Sequence, residues 1–290
     1  MLDVKRLAHV TLTTPDLERQ IDYYQAIIGL TLADRTADRA VLSTSVGVET
    51  LVLERGETAG LKRIALQLAP DVDLREAAQA LSAKGVKAER AHDITPAVKD
   101  ALIVQDNNGT TLELISQISF AKPTRRHVGI MPLKLGHVAR FVPDVQGAER
   151  FYREVLGFRT SDWRTTVSVF MRCGPDHHTI NVFKGETTEL AHIAFEVKDF
   201  SELQRACDVL AGHDMKLDWG PSRHNIGHNI ACYHRSPDGL RIEIFTEMDQ
   251  MKDEALGYFE PRPWHEDTPQ RPKIWPSSTS KNYWGLWGAS

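Results

Sequence analysis

The chain has 290 residues, a mass of 32.6 kDa and 41% hydrophobic residues, enough to fill the cores of two ordinary domains. A net charge of -4 and a pI near 6.3 give no electrostatic reason to bind nucleic acid or an anionic membrane, which leaves small molecules as the favoured partners. The N-terminus MLDVKRLAHV lacks the apolar stretch of a signal peptide, no run of about 18 apolar residues occurs, and Cys173, Cys207 and Cys232 form no CxxC, so a soluble cytoplasmic protein with buried, reduced thiols is expected.

In chain order, AHVTLTT alternates as a strand and runs into Pro15-Asp16, a helix start with Asp16 as N-cap. The spacing of Leu17, Ile21, Tyr24 and Ile28 is helical and Gly29 ends it. AVLSTSV, TLVLER and RIALQL then read as strands, and a helix is predicted near Leu74 to Lys84. KPTRRHVGIM, Lys122 to Met131, is a polar, proline-containing linker. The design then repeats, with strand GHVARFV, N-cap Asp144, a helix on Val145, Ala148, Phe151 and Val155 ended by Gly157, strands SVFMRC, TINVFKG and HIAFEV, and a helix near Phe200 to Leu210. The fold class is α+β, with two tandem domains, each of two βαβββ modules curled into a half-open barrel whose mouth is a natural ligand site.

Residues 1–127 form the N-terminal domain in this reading, 128–250 the C-terminal one, and 251–290 a tail. Five prolines and four tryptophans between Tyr258 and Trp287 argue against a third core. The expectation is a tail laid over the second domain or a neighbouring subunit, burying Trp264 and Trp275, with Ser277 to Lys281 its loosest part.

The two halves are copies. Leu7 to Arg35 aligns without a gap on Leu135 to Trp163, sharing His9/His137, Pro15/Pro143, Asp16/Asp144, Tyr24/Tyr152 and Gly29/Gly157. LKRIAL matches LAHIAF, and DNNGTTLE matches SPDGLRIE. A spacing held this constant marks a duplicated module. The second copy offers His137, His192 and Glu243, whereas the first offers His9, Arg63 and Glu113. Arginine has no lone pair to give, so only the second copy is expected to hold a divalent cation. Two imidazoles and one carboxylate suit iron(II) with open positions, and manganese(II) uses the same ligands.

The stretch RHNIGHNIACYHRSPDGLRIE, Arg223 to Glu243, resembles the signature of two-domain type I extradiol ring-cleaving dioxygenases of the vicinal oxygen chelate superfamily. That signature has a histidine, a tyrosine nine residues on, a Pro-x-Gly turn and a liganding glutamate, which fall on His224, Tyr233, Pro237, Gly239 and Glu243. Ser222, Cys232 and Ser236 depart from the types more usual there. In DHHTINVF, His178 falls on the family's acid/base histidine, and Glu49 stands at the aligned place in the first copy.

The resemblance implies that a catechol-type substrate and O2 meet on iron(II) held by His137, His192 and Glu243, giving a hydroxymuconate-semialdehyde type product. His178 would bond the oxygen and deliver a proton, and His224 with Tyr233 would hold the substrate oxygen and assist its deprotonation. Two other classes are weighed against this: a redox-silent isomerase or lyase of the same superfamily, which has no evident need of all three residues, and a metal-free binding protein, which has none for the triad.

Around these positions, His177 and His234 are expected to face away from His178 and Tyr233, since neighbouring strand residues alternate. His9 and Glu113 read as relics with ordinary hydrogen bonds. Trp219 borders the ring substituent or packs in the core. In WGPSRH, the short segment around Trp219, no arginine stands out as a grip for a substrate carboxylate, which favours an apolar or neutral substituent, although Arg223, Arg241 and Arg262 could each reach the pocket. Exposed sheet edges and an aromatic tail favour a homo-oligomer.

Overall fold

Asp16 and Asp144 start the first helix of each half as expected. Asp16 Oδ1 accepts from the backbone N–H of Arg19 at 3.1 Å, and Asp144 Oδ1 from that of Gly147 at 2.8 Å. The computed structural model describes residues 2–124, 127–253, 258–259 and 271–285.

The first half runs β1 Val4–Thr14, α1 Leu17–Tyr23, β2 Thr31–Arg35, β3 Arg39–Ser43, β4 Glu49–Arg55, β5 Gly60–Leu68, α2 Leu74–Ser82, β6 Ala88–Thr95, β7 Val98–Gln105 and β8 Thr111–Ile115. The second runs β9 Lys134–Val142, α3 Val145–Glu154, β10 Arg159–Arg164, β11 Ser168–Arg172, β12 Ile180–Lys184, β13 Glu189–Glu196, α4 Phe200–Gly212, β14 Leu217–Arg223, β15 Ile230–Arg235 and β16 Arg241–Thr246. A short pair follows, β17 Met251–Asp253 with β18 Tyr258–Phe259, and then β19 Lys273–Trp275. Each half thus holds two βαβββ modules joined in one curled sheet, the vicinal oxygen chelate arrangement. The strand orders are β2-β3-β4-β1-β5-β8-β7-β6 and β14-β15-β16-β13-β9-β12-β11-β10-β19.

The helix predicted over Leu17 to Ile28 changes pitch. After Tyr23 it loosens into a π-helical turn, Tyr24–Ile28, and Gly29 closes it at φ +84°. A Cβ on Gly29 would lie 2.4 Å from the Val128 carbonyl oxygen, so the close approach of the linker needs glycine there. Ile130 and Met131 donate their N–H groups to the carbonyls of Ile27 and Ile28 at 2.8 Å each. The linker therefore satisfies the end of the first helix before the second sheet begins.

The described part of the tail around β19 joins the second sheet. β19 pairs in parallel with β10, with Asp162 opposite Lys273 and Arg164 opposite Trp275. Trp275 is half-buried, while Trp264 and Arg262 lie outside the described residues. Ser277 to Lys281 is better tied than expected: Arg164 donates to the carbonyls of Ser277 and Thr279, and Asn225 to that of Ser280. Cys173 and Cys232 are buried as expected, and Cys207 only partly.

Strand register sets the site. At the seam between modules β9 and β13 run antiparallel, with His137 opposite Ala194 and His192 opposite Ala139. Ala194 is also opposite Glu243 on β16, and Glu243 is opposite Tyr233 on β15. Residues directly opposite share a face, as do residues two apart on one strand, so His137, His192, Glu243 and Tyr233 all project from one side of the sheet.

Candidate metal centre and its pocket

His137 Nε2 lies 3.2 Å from His192 Nε2 and 3.1 Å from Glu243 Oε2, and His192 Nε2 lies 3.0 Å from that same oxygen. Three ligands on one face of an octahedron with bonds of ~2.1 Å lie about 3.0 Å apart, so the spacing fits a cation held facially with other positions open. The three residues are buried. Burial holds the His192 imidazole neutral, against the pull of Glu243. Burial alone would raise the Glu243 carboxyl, but the His137 and His192 rings outweigh it and hold the group well below the usual carboxylate range. Neutral imidazole with ionised carboxylate is the protonation state a cation requires. Asn229, which sequence reasoning passed over inside the signature stretch, donates Nδ2–H to the second oxygen, Glu243 Oε1, at 2.8 Å and orients it.

His178 stacks beside this group, its ring centroid 4.4 Å from that of His137. Burial pushes its pKa well below the ordinary histidine value, and the neighbouring His137 and His177 add to the effect. The expectation that His177 faces away is corrected. Both residues sit on a bend before β12 rather than in a strand, alternation does not apply, and their Nδ1 atoms are 3.0 Å apart. His234 does face away, with Nε2 2.6 Å from the hydroxyl of Tyr23 in the other half.

The second pair is tied to the tail. His224 Nδ1 lies 2.9 Å from the Lys281 carbonyl, and its Nε2 lies 3.0 Å from the Tyr233 hydroxyl. A carbonyl only accepts, so Nδ1 carries the proton, and neutral His224 accepts at Nε2 from the tyrosine. Burial lowers His224, and burial with the nearby Glu243 charge raises Tyr233 well above its ordinary value. Trp219 stacks on His224 at 4.6 Å between centroids, and the Arg241 guanidinium sits 4.0 Å from the centre of the Tyr233 ring.

The first half shows what the same scaffold does without the second histidine. His9 Nε2 is 3.0 Å from Glu113 Oε2, the ordinary hydrogen bond expected of a relic, and the Arg63 guanidinium pairs with Glu113 and Glu54. A fixed cation stands where the second imidazole is in the other half. Glu49 is buried and held by the Thr95 hydroxyl.

All six residues singled out from the second half, His137, His178, His192, His224, Tyr233 and Glu243, line one cavity of about 430 Å³. Both halves, residues 6–114 and 134–244, match the family model of the Glyoxalase/Bleomycin resistance protein/Dioxygenase superfamily. The chain belongs to that superfamily. Within it, similar proteins include a manganese-dependent 2,3-dihydroxybiphenyl 1,2-dioxygenase of Geobacillus genomosp. 3, 26% identical over 94% of both chains. An iron-dependent extradiol dioxygenase of Rhodococcus jostii (strain RHA1) is 26% identical over 88% of this chain and 93% of its own. In solved structures the same fold occurs in a Mn(II)-bound glyoxalase from Novosphingobium aromaticivorans, with TM-score 0.86, 23% identity and coverage of 99% of this chain and 92% of that one.

Beyond those six residues, the pocket of this superfamily member is more cationic than the signature segment suggested. Arg164, Arg235, Arg241 and Lys281 line it, and Trp219 borders it as expected. Asp218 pairs with Arg235 and Arg241, whereas the Lys281 ammonium has no anionic partner among the described residues. Burial lowers the Lys281 pKa, and repulsion from Arg164 and Arg241 lowers it further. Arg223 turns away, to the His228 carbonyl and Glu247. Arg164 and Lys281 were missed because they lie far from the signature in sequence: Arg164 stands on β10, and Lys281 follows β19, which pairs with β10.

Proposed function

We propose that the protein is a ring-cleaving extradiol dioxygenase acting on a catechol with O2. The observation that carries this reading is the convergence of His137 Nε2, His192 Nε2 and Glu243 Oε2 in a pocket that also holds His178 and the His224–Tyr233 pair. The two histidines and the glutamate would hold iron(II), with manganese(II) as the alternative ion; similar proteins are named for each metal. When bound, the ion supplies a shared site that chelates the vicinal oxygens of the diol and lets electron density pass between ring and O2.

The remaining chemistry falls to the chain. The His224–Tyr233 pair holds one diol oxygen, with His224 Nε2 as the acceptor toward which a hydroxyl proton moves through Tyr233. His178, neutral and close to the ligand group, exchanges a proton with oxygen on the other side. Trp219, Phe170 and Phe183 wall the ring and exclude water. The unbalanced cations Arg164 and Lys281 favour a ring substituent bearing negative charge, rather than the neutral one expected from the signature segment. The product is of the hydroxymuconate-semialdehyde type.

Residues 1–127 serve as a non-catalytic domain in this reading, 128–250 as the catalytic one and 251–290 as its cover. A cytoplasmic homo-oligomer is the favoured form, and no helix among the described residues is long and apolar enough to cross a membrane.

The test is metal content of protein purified without oxygen, followed by absorbance and oxygen uptake on adding substituted catechols. About one iron or manganese per chain, with oxygen consumed in step with a yellow chromophore, is the expected outcome. Bound metal with no oxygen uptake across the panel would move the reading to the redox-silent isomerase or lyase class.

A further inference from the structure

His177, His178 and Asp162 form a buried chain of which only His178 lines the pocket. The Nδ1 atoms of the two histidines are 3.0 Å apart, and His177 Nε2 is 3.2 Å from Asp162 Oδ2. The direction of the hydrogen bonds is decided at the carboxylate end. Asp162 Oδ1 accepts the backbone N–H of Lys273 at 2.9 Å, and Oδ2 accepts the indole N–H of Trp275 at 2.7 Å. Both of those groups can only donate, so Asp162 is fixed as an acceptor by strand β19. His177 must then donate to it from Nε2. In its neutral form, a His177 ring that donates from Nε2 has a lone pair at Nδ1, and the N–H that meets it is then His178 Nδ1–H. Neutral His178 is left with a bare Nε2 on the side of its ring away from His177.

We propose that Asp162 and His177 are positioning residues that lock His178 in its Nδ1–H tautomer, so that it meets the substrate as a hydrogen-bond acceptor. The chemical consequence rests on the dioxygenase reading; the tautomer does not. Any proton His178 delivers late in ring cleavage must first be received at Nε2, from a hydroxyl of the diol, so one proton enters the ring and one leaves it. The imidazolium formed in between keeps its Nδ1–H on His177, with the Asp162 carboxylate one ring further on. The tail strand that fixes Asp162 thus sets the starting state of a residue it does not touch.

The direct test is an imidazole 15N–1H correlation spectrum of the full-length, histidine-labelled protein loaded with diamagnetic Zn2+, with His178 assigned by its absence in His178→Gln. A protonated Nδ1 and a bare Nε2 are expected, and the opposite pattern would overturn the lock. This readout needs no turnover. A protein that cleaves no catechol yet shows protonated Nδ1 would remove the dioxygenase reading and leave the lock standing, and ring cleavage with protonated Nε2 would do the reverse. A second test compares His177→Leu with His177→Gln. The glutamine amide can donate to Asp162 and accept from His178, restoring the polarity of the chain, whereas leucine can do neither. His177→Leu should lower kcat about tenfold or more with KM within about threefold, and glutamine should recover most of that loss. Equal losses in both variants, or a loss carried by KM, would count against a positioning role.

Discussion

The Tyr23 hydroxyl in α1 of the first half lies 2.6 Å from Nε2 of His234 on β15 of the second, a buried hydrogen bond that ties the two sheets together. His234 Nδ1 has no partner among the described residues, so the bond to the tyrosine is the one hydrogen bond this buried ring makes with them. Burial pulls the His234 pKa down to about 4 from an ordinary 6.5. As pH falls the unfolded chain therefore takes up this proton first. The contribution to stability is complete above pH ~6.5, falls as pH drops toward ~4, and is constant below, where it has lost about 3 kcal/mol. Denaturant unfolding of wild type and His234→Gln across that range should show a steeper loss in the wild type. At pH 7.5, Tyr23→Phe should cost about 1–3 kcal/mol, because it leaves a buried ring nitrogen without its hydrogen-bond partner.

Metal content discriminates between the two copies. His192→Ala removes one of three converging ligands and should take bound metal from about one per chain to near zero, with activity lost in parallel. His9→Ala touches a pair already occupied by Glu113 and Arg63 and should leave metal content unchanged. Elemental analysis of both variants checks this, and loss of half the metal in His9→Ala would mean that the first copy binds a cation. Chelation of the wild type should also lower its Tm, by about 2.7 kcal/mol of stability when the ion had been present at 100 times its Kd.

His178 supplies no ligand atom to the triad, which separates binding from turnover. His178→Ala should keep metal and bind catechol, as read by the absorbance of the anaerobic complex, while kcat falls about 10²- to 10⁴-fold. Full activity in this variant would remove the acid/base assignment.

Much of this site was legible because the chain carries its own control. The alignment of His192 with Arg63, and of His178 with Glu49, identified the second half as the one with metal-ligand chemistry before any contact was known. Pattern also located the helix caps at Asp16 and Asp144 and the strands that place His137 opposite Ala194. It failed where local rules do not reach. Alternation misplaced His177, which lies on a bend, and composition alone could not show that Ser277 to Lys281 returns to His224, Asn225 and Arg164. Those contacts depend on the parallel pairing of a three-residue strand with β10, which has no sequence period to reveal it.

The cationic wall makes a prediction about specificity. A catechol carrying a carboxylate should be favoured in kcat/KM over its methyl analogue, and Lys281→Met should collapse that ratio by about tenfold, a value kept modest because the ammonium is partly exposed and screened. Steady-state oxygen uptake with the two substrates, at low and high salt, measures it. A ratio unaffected by the substitution would return the substituent to the neutral class.

The fully buried Arg140 on β9 offers the last test, of how the halves are held together. Its Nη1 donates to Asp106 Oδ2 at 3.0 Å, in the turn between β7 and β8, and also to the Thr110 hydroxyl; Nη2 donates to the Tyr152 hydroxyl at 2.9 Å. Desolvation opposes the charge, but Tyr152 and Asp106 outweigh it and keep the guanidinium protonated. Asp106→Asn removes the counter-charge and leaves a cation in the interface, which should cost about 3–5 kcal/mol. The double variant Asp106→Asn/Arg140→Met removes both charges and should recover part of that loss, since a buried pair replaced as a unit costs less than one broken in half. Denaturant unfolding of the two variants decides the matter: equal losses would mean that Arg140 acts through packing and its bonds to Thr110 and Tyr152 rather than through its charge.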